Sequence, residues 1–437
     1  MSNITSKMTV WNSKNPRPDD QLKEWIYRGE GNCNLVLSLP KSRRILRIRK
    51  TEKPKTLLGW ILVLISDFIH WYYGIGFKDE VRDLNFYNNV MRPLIGLGYT
   101  SESKQVALSR KQMRIFNEGL EKKRPEHRQN KTLQYNRAAL FNDFAYLPIQ
   151  YDYLPFSGQT YSVEIKPKQG WRPLEEQQLY KQCFFCMNQH LKLEKKTILM
   201  KTKYCPEELF SGDEKRMKIA LKHLIEIPQN NFKIFRNGLL CYDGKNEDLI
   251  IVLQEMFESQ DSIDSLNEEF CDFLQKCLIK NLANNPISCI CSPNTKLPKG
   301  SVLEHILSVQ MLDTEGTKHT FEKFKKHIEE DDYSFVDKLL EIVESDKKTC
   351  VRCIIQKAPN SIFMPYLIAA IAKDCSLMIT FRKLNNTTYN GDNVFVTKFG
   401  SFLVNIGVFD LYPKPLSTIR KHFKRNADMV KALVDQI

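Results

Sequence analysis

Apolar side chains take every second position at Leu35, Leu37 and Leu39, and Ile45 and Ile48 carry the pattern into RILRIRK, which predicts two strands joined by a basic turn. The stretch RGEGNCN just before them reads as a glycine-containing turn that can bring backbone N–H groups against phosphates. NNVMRPLIGLGY is helical in pattern, and ALFNDFAYLPIQY reads as a strand running into a proline-rich connection, with a hinge near Asn142 and Asp143. In VEIKPKQGW, strand alternation puts Val163, Ile165 and Pro167 on one face and Glu164, Lys166 and Lys168 on the other, with Pro167 confining the segment to a strand end or edge. Met217, Ala220, Leu221 and Leu224 mark a helix that starts near Ser211 or Asp213 and stops before Pro228. FCDFLQKCLIKNLA is a second amphipathic helix, the Asp313 to Asp346 region is charged and peripheral, and Phe402 to Phe409 is a buried strand ending in Asp410. The apolar run that begins at Leu57 contains Asp67, His70 and a Gly-x-Gly, which argues against a membrane span and for a helix buried within a lobe.

At 437 residues the chain exceeds one ordinary core, so two lobes flanking a cleft are expected. With 42% hydrophobic and 27% charged residues it is a folded protein. A net charge of +14 favours anionic partners, and its placement is blocky: Lys41 to Lys55 holds eight basic residues against Glu52, whereas Asp243 to Asp272 holds ten acids against Lys245. That alternation suits a positive cleft. Twelve cysteines without a signal peptide read as reduced thiols of the cytoplasm or nucleus. Cys183/Cys186 and Cys350/Cys353 are C-x-x-C pairs lying far apart, and Cys289/Cys291 is a closer pair. No second pair follows at zinc-ribbon spacing, and Cys183/Cys186 sits in a helix-like run where cysteines at that spacing are more often core than ligands of a structural zinc.

Phosphoryl transfer needs positioning, charge neutralisation and a metal-holding carboxylate more than covalent partners. Gly29 to Asn34 can supply amides, Arg47 and Lys166 cations, Asp410 a metal ligand and Asp374 a base. Each carboxylate also has a plain structural reading, Asp374 as a cap or surface group and Asp410 as the end of its strand. Two ammonium groups at 4 Å repel by about 4 kcal/mol at an effective dielectric near 20, so Lys166 and Lys168 on one strand face call for a polyanion.

RGEGNCNLVL, ILRIRK, VMRPLIG, VEIKPKQGW, YCPEELFSG, PQNNFKIF, AAIAKDCSLMI and LVNIGVFDLYPKP together resemble, in order, the inositol-pentakisphosphate 2-kinases. The resemblance implies an α+β, two-lobed kinase-like fold, with a mixed amino-terminal nucleotide lobe over 1–142 and a larger, mostly helical lobe over 143–437. It implies ATP and Mg²⁺ as cofactors and transfer to the axial 2-hydroxyl of inositol 1,3,4,5,6-pentakisphosphate, giving the hexakisphosphate. By motif, Gly29, Glu30, Gly31, Asn32 and Asn34 resemble the nucleotide loop, Arg47 its phosphate contact, and Asn142 and Asp143 the hinge. Asp374 resembles the residue that prepares the hydroxyl, Lys166 the one that reaches the transferred phosphate, and Asp410 the magnesium ligand. Arg128, Lys168, Lys192, Asn230, Asn231 and Lys414 match inositide contacts. Asn188, Lys233 and His422 stand where relatives carry His, Arg and Tyr, and Tyr412 and Thr418 depart similarly. Thr320 replaces an expected ligand of a zinc site that some relatives carry, which argues against zinc here. A basic nucleic-acid-binding protein and an inert kinase-like scaffold are the rival readings, but no nucleic-acid-binding signature occurs. A monomer in the cytoplasm and/or nucleus, with neither membrane nor nucleic acid as partner, is the expectation.

Overall fold

A computed structural model describes residues 24–31, 33–72, 78–133, 137–282, 293–326, 331–357, 363–385 and 389–434; Asn32, Cys289, Cys291 and the Gly-x-Gly after Tyr73 lie outside the described residues. The protein is α+β, with two antiparallel six-stranded sheets. By packing it divides into two units, the described residues of Met1–Phe77 with Lys104–Asp143, and Lys78–Ser103 with Phe144–Ile437.

The first unit carries β1 (Ile26–Glu30), β2 (Asn34–Leu39), β3 (Arg44–Glu52), β4 (Lys104–Ala107), β5 (Lys131–Leu133) and β6 (Arg137–Asn142), in the order β1-β2-β3-β6-β4 with β5 on β3. Leu35, Leu37 and Leu39 are buried as their alternation predicts, but in β3 the inward residues are Leu46 and Ile48, not Ile45. Ile45 and Ile48 are three apart, so a strand cannot put both on one face. This apolar face packs on the helix Arg110–Leu120 through Met113, Phe116 and Leu120. A capping box starts that helix: the Ser109 hydroxyl accepts from Gln112 N at 3.2 Å, and Gln112 Oε1 accepts from Ser109 N at 2.7 Å.

The helix Leu57–Tyr72 corrects the expectation of a buried element. Leu57, Leu58, Leu62, Leu64 and Ile65 are each at least half exposed, and among the described residues no other helix or strand packs extensively on it. Apolarity on every side shows only that a helix can be covered, not that its cover comes from the same chain. No helix among the described residues is long and apolar enough to cross a membrane.

The second unit carries β7 (Phe156–Ile165), β8 (Phe232–Arg236), β9 (Leu239–Tyr242), β10 (Ser376–Leu384), β11 (Val394–Thr397) and β12 (Gly400–Phe409), ordered β11-β12-β10-β7-β8-β9. β7, β10 and β12 are interior strands; Val163, Ile165, Leu377, Ile379, Leu403 and Val408 are fully buried. Phe273, on the helix Ile263–Ile279, meets Phe381 at 4.8 Å and Phe402 at 5.7 Å between ring centres. Asp213 caps the helix Glu214–Glu226, its Oδ1 accepting from Arg216 N at 2.9 Å. Lys78–Ser103, expected with the amino-terminal lobe, joins this unit: Tyr99 O accepts from Val408 N at 2.7 Å, and its hydroxyl donates to Gly300 O at 2.8 Å. The Asp313 to Asp346 region is not wholly peripheral. Asp313 is buried against Lys373 at 2.6 Å, and Phe335, Val336 and Leu339 form a stripe that sinks among the charges.

Candidate active site

Strand register assembles the site. Ile165, the last residue of β7, pairs with Leu377 near the start of β10 and with Phe232 at the start of β8, while Ser376 pairs with Phe409 at the end of β12. Lys166 and Lys168, Asn230 and Asn231, Asp374, and Asp410 therefore emerge at one end of one sheet. Asn231 is buried, and its carbonyl accepts from Lys166 N at 2.9 Å; Asn230 is exposed. Lys233 sits on β8 opposite Glu164, and Lys166 Nζ is 3.9 Å from that glutamate.

Asp374 occupies the turn between the helix Met364–Ala372 and β10, its side chain 58% exposed. Lys168 Nζ donates to one carboxylate oxygen and Lys414 Nζ to the other, both at 3.0 Å. Partial desolvation by the surrounding protein works to raise the acid's pKa, but the attraction of the two ammonium groups and their hydrogen bonds outweigh it and hold Asp374 well below the usual carboxylate range. Strand alternation does not aim Lys168, contrary to the expectation. β7 ends at Ile165, and Lys168 takes a left-handed φ of 63°. Fully buried Gln310 fixes that turn instead, donating to Lys168 O at 2.9 Å and Ala372 O at 3.1 Å and accepting from Gly170 N at 2.8 Å. Leaving such a buried group unpaired costs ~1–3 kcal/mol, so Gln310 is a positioning residue that nothing in its local sequence announces.

Two further helices bring cations. Phe184–Glu194 packs on Ser417–Val434 through Phe184, Met187 and Leu191 against Met429 and Ala432. Asn188 is buried, and its Oδ1 accepts from Arg425 Nη2 at 3.2 Å. Burial, then Arg425 and Lys168, push the Lys192 ammonium below its ordinary pKa, so these cations feel one another. Arg425 was missed by sequence reasoning, since a lone arginine on an amphipathic helix carries no signal without its partner.

His422 hydrogen-bonds Tyr366 Oη through Nδ1 at 2.9 Å. Burial, and then Lys414, Lys373 and Arg425, press its pKa down to about 4 against the opposing pull of Asp374. The native state thus excludes a proton that the unfolded state binds below about 6.5, so this residue costs no stability above that pH and a growing amount as pH falls toward 4. His422→Gln should flatten the loss over that window by on the order of 2 kcal/mol, read from urea unfolding at stepped pH.

In the first unit Gly29 sits at a register shift in β1 with φ 147°, a backbone that suits glycine, and a Cβ at Gly29 or Gly31 would meet nothing within 4 Å. Gly31 N donates to Asn34 O at 2.9 Å, and the Asn34 carboxamide, with its oxygen toward Arg47, accepts from that guanidinium at 3.2 and 3.3 Å. Glu30 faces inward: its carboxylate is buried on Lys50 at 2.5 Å and Arg124 at 2.9 Å. It braces the turn from within, a role its expected place among nucleotide contacts did not suggest. Asn142 accepts from Arg44, and buried Asp143 accepts from Ser38 and, at 3.2 Å, from Arg28. These two lie at the far end of β3 from Asn34, which pairs with Arg49 while Asn142 pairs with Arg44; five residues of strand span about 17 Å. Arg128 lies in a 3₁₀ turn of this unit, Nε donating to His127 at 3.2 Å.

Asp410 follows β12 in a left-handed conformation (φ 64°), exposed, and its Oδ2 accepts from the Ser376 hydroxyl at 3.3 Å. It belongs to no group of three or more potential metal ligands among the described residues. One carboxylate with an adjacent hydroxyl fits Mg²⁺, which keeps several waters and takes its remaining ligands from substrate phosphates.

The family model described as inositol-pentakisphosphate 2-kinase matches residues 27–428. An inositol-pentakisphosphate 2-kinase of Danio rerio is 28% identical, covering 93% of this chain and 92% of its own length. One of Arabidopsis thaliana is also 28% identical with the same coverage, and one of Oryza sativa subsp. indica is 25% identical over 93% of each chain.

Proposed function

Because the chain belongs to the inositol-pentakisphosphate 2-kinase family, we propose that it transfers the γ-phosphoryl group of ATP to the 2-hydroxyl of inositol 1,3,4,5,6-pentakisphosphate, giving the hexakisphosphate. The observation that carries this reading is the Asp374 carboxylate clasped between Lys168 and Lys414, with Lys192, Arg425 and His422 electrostatically coupled to the same cluster.

A carboxylate held this far below its ordinary pKa is a weak base. Phosphates of the inositide would draw Lys168 and Lys414 onto themselves, and Asp374, relieved of both cations, would gain basicity where the 2-hydroxyl arrives. Binding and activation of the base are then one event. Lys192, Asn188 with Arg425, Asn230, Asn231 and Lys233 would take further phosphates, and Lys166 would meet the transferred one. Arg425 joins this set because Asn188 Oδ1 accepts from its guanidinium and holds it beside Lys192.

In the first unit the open glycine turn and Arg47 would receive ATP phosphates, with Asn142 and Asp143 near the base. Asp410 with Ser376 would hold Mg²⁺, which supplies neutralisation of phosphate charge. A two-lobed kinase-like arrangement, with the first unit as the nucleotide lobe and the second as the larger lobe, belongs to this proposal, as does residence in cytoplasm or nucleus. The test is direct. Purified protein with ATP, Mg²⁺ and the pentakisphosphate should yield hexakisphosphate by anion-exchange chromatography. No product, together with tight salt-sensitive RNA binding, would favour the nucleic-acid reading instead.

A further inference from the structure

The helix Leu57–Tyr72 begins on a defined footing. The Thr56 hydroxyl accepts from Gly59 N and its carbonyl from Trp60 N, both at 3.1 Å, and a Cβ at Gly59 would stand 3.0 Å from that of Pro54. Gly59, Val63 and Ser66 are half-buried and, at 100° per residue, fall within about 60° of one another, so this is the side that the helix turns to the protein. The opposite side is apolar and open: Leu58, Ile61, Leu62, Leu64, Ile65 and Phe68 are 44–67% exposed and sweep an arc of about 160°. An ordinary surface helix turns such an arc toward its own core. Here it faces outward.

Charge gathers at the entrance to this helix. The helix sequence holds no Lys or Arg and one carboxylate, Asp67. Lys53 and Lys55 are exposed just before it, and Glu52, the acid beside them in sequence, is matched by Lys131 Nζ at 3.0 Å. Lys53 N donates to Asn130 O at 3.3 Å, which fixes the basic end against the turn that precedes β5. An apolar arc with ammonium groups at one end complements a surface that is anionic above and apolar beneath. At 16 residues the helix is about 24 Å long, short of the ~30 Å hydrocarbon core, so it suits lying along a bilayer and not crossing it. A second copy of the helix would cover a seam of about two positions in seven and leave much of the arc in water, whereas acyl chains cover whatever arc is offered.

We propose that Leu57–Tyr72 docks the protein on an anionic lipid bilayer, with the arc from Leu58 to Phe68 set among the acyl chains and Lys53 and Lys55 at the headgroups. The expectation that a membrane is not a partner fails on this helix, because a sequence too short and too interrupted to span was read as one to be buried within a lobe. Phosphoryl transfer between two soluble anions does not call for a bilayer, so docking and catalysis stand or fall separately.

The experiment floats the full chain with vesicles of phosphatidylcholine alone or with about one third phosphatidylserine, in the presence of saturating inositol hexakisphosphate to occupy any inositide site. Binding to the anionic vesicles is expected. Lys53→Glu with Lys55→Glu should weaken it about thirtyfold or more, and Leu62→Ser with Ile65→Ser about a hundredfold. Both pairs are exposed, so thermal unfolding should match the native chain. Brominated acyl chains should quench part of the native tryptophan fluorescence through Trp60, a readout that needs no variant. No binding to anionic vesicles, binding abolished by the hexakisphosphate, or full binding by folded Leu62→Ser with Ile65→Ser would each overturn the proposal. A dimer in light scattering that this last variant dissociates would give the helix to a second copy and overturn it as well.

Discussion

Asp374→Asn should lower kcat by about 10²- to 10⁴-fold while leaving the affinity for inositol pentakisphosphate equal or higher. The carboxamide keeps the shape of the side chain but cannot accept the proton of the 2-hydroxyl. It also stops neutralising Lys168 and Lys414, each 3.0 Å away, so both are freed for phosphates before the substrate arrives. Loss of rate with retained or tighter binding is the signature of a base whose counterions are the substrate's receptors. The measurement pairs steady-state kinetics with calorimetric titration of the inositide. A kcat within about threefold of the native value would show that Asp374 only bridges two lysines.

Lys168→Glu should weaken inositide binding by about 3–4 kcal/mol, a few hundredfold, with ATP affinity unchanged. The substitution removes one phosphate-facing ammonium and sets a second carboxylate beside Asp374. Its cost falls on the second unit alone, where Lys168 is anchored through its carbonyl by Gln310 rather than through its charge. Since the left-handed backbone at this position is already occupied by a long side chain, glutamate adds little strain. Titration of each ligand separately decides it. Equal losses for both ligands would mean that the lysine has been assigned to the wrong partner.

The parts of the fold that depend on local pattern were legible. Leu35, Leu37 and Leu39 face inward because strand geometry leaves no alternative once one face is dry, and Asp213 caps its helix because a short acceptor there satisfies an orphan N–H. The motifs around Lys166, Asp374 and Asp410 were readable as chemistry, but only the register of β7, β10 and β12 brings their ends together. What stayed hidden depends on residues distant in sequence. Gln310 shapes the Lys168 turn, Arg425 reaches Asn188, and the Cys205 sulfur lies beside those of Cys183 and Cys186. Glu30 reads as a nucleotide contact within its motif, yet its carboxylate turns inward to Lys50 and Arg124, a choice visible only once β3 and the helix beyond it are in place. The helix Leu57–Tyr72 misled for the opposite reason, since its composition is that of a covered helix and its cover is not in this chain's described residues.

The most direct measurement is a crystal structure of the protein with inositol pentakisphosphate and a non-transferable ATP analogue. It should find the Asp374 carboxylate about 2.6–3.2 Å from the 2-hydroxyl, with the ammonium groups of Lys168 and Lys414 moved onto inositide phosphates. Finding Asp374 still gripped by both lysines, with the inositide bound elsewhere, would contradict it.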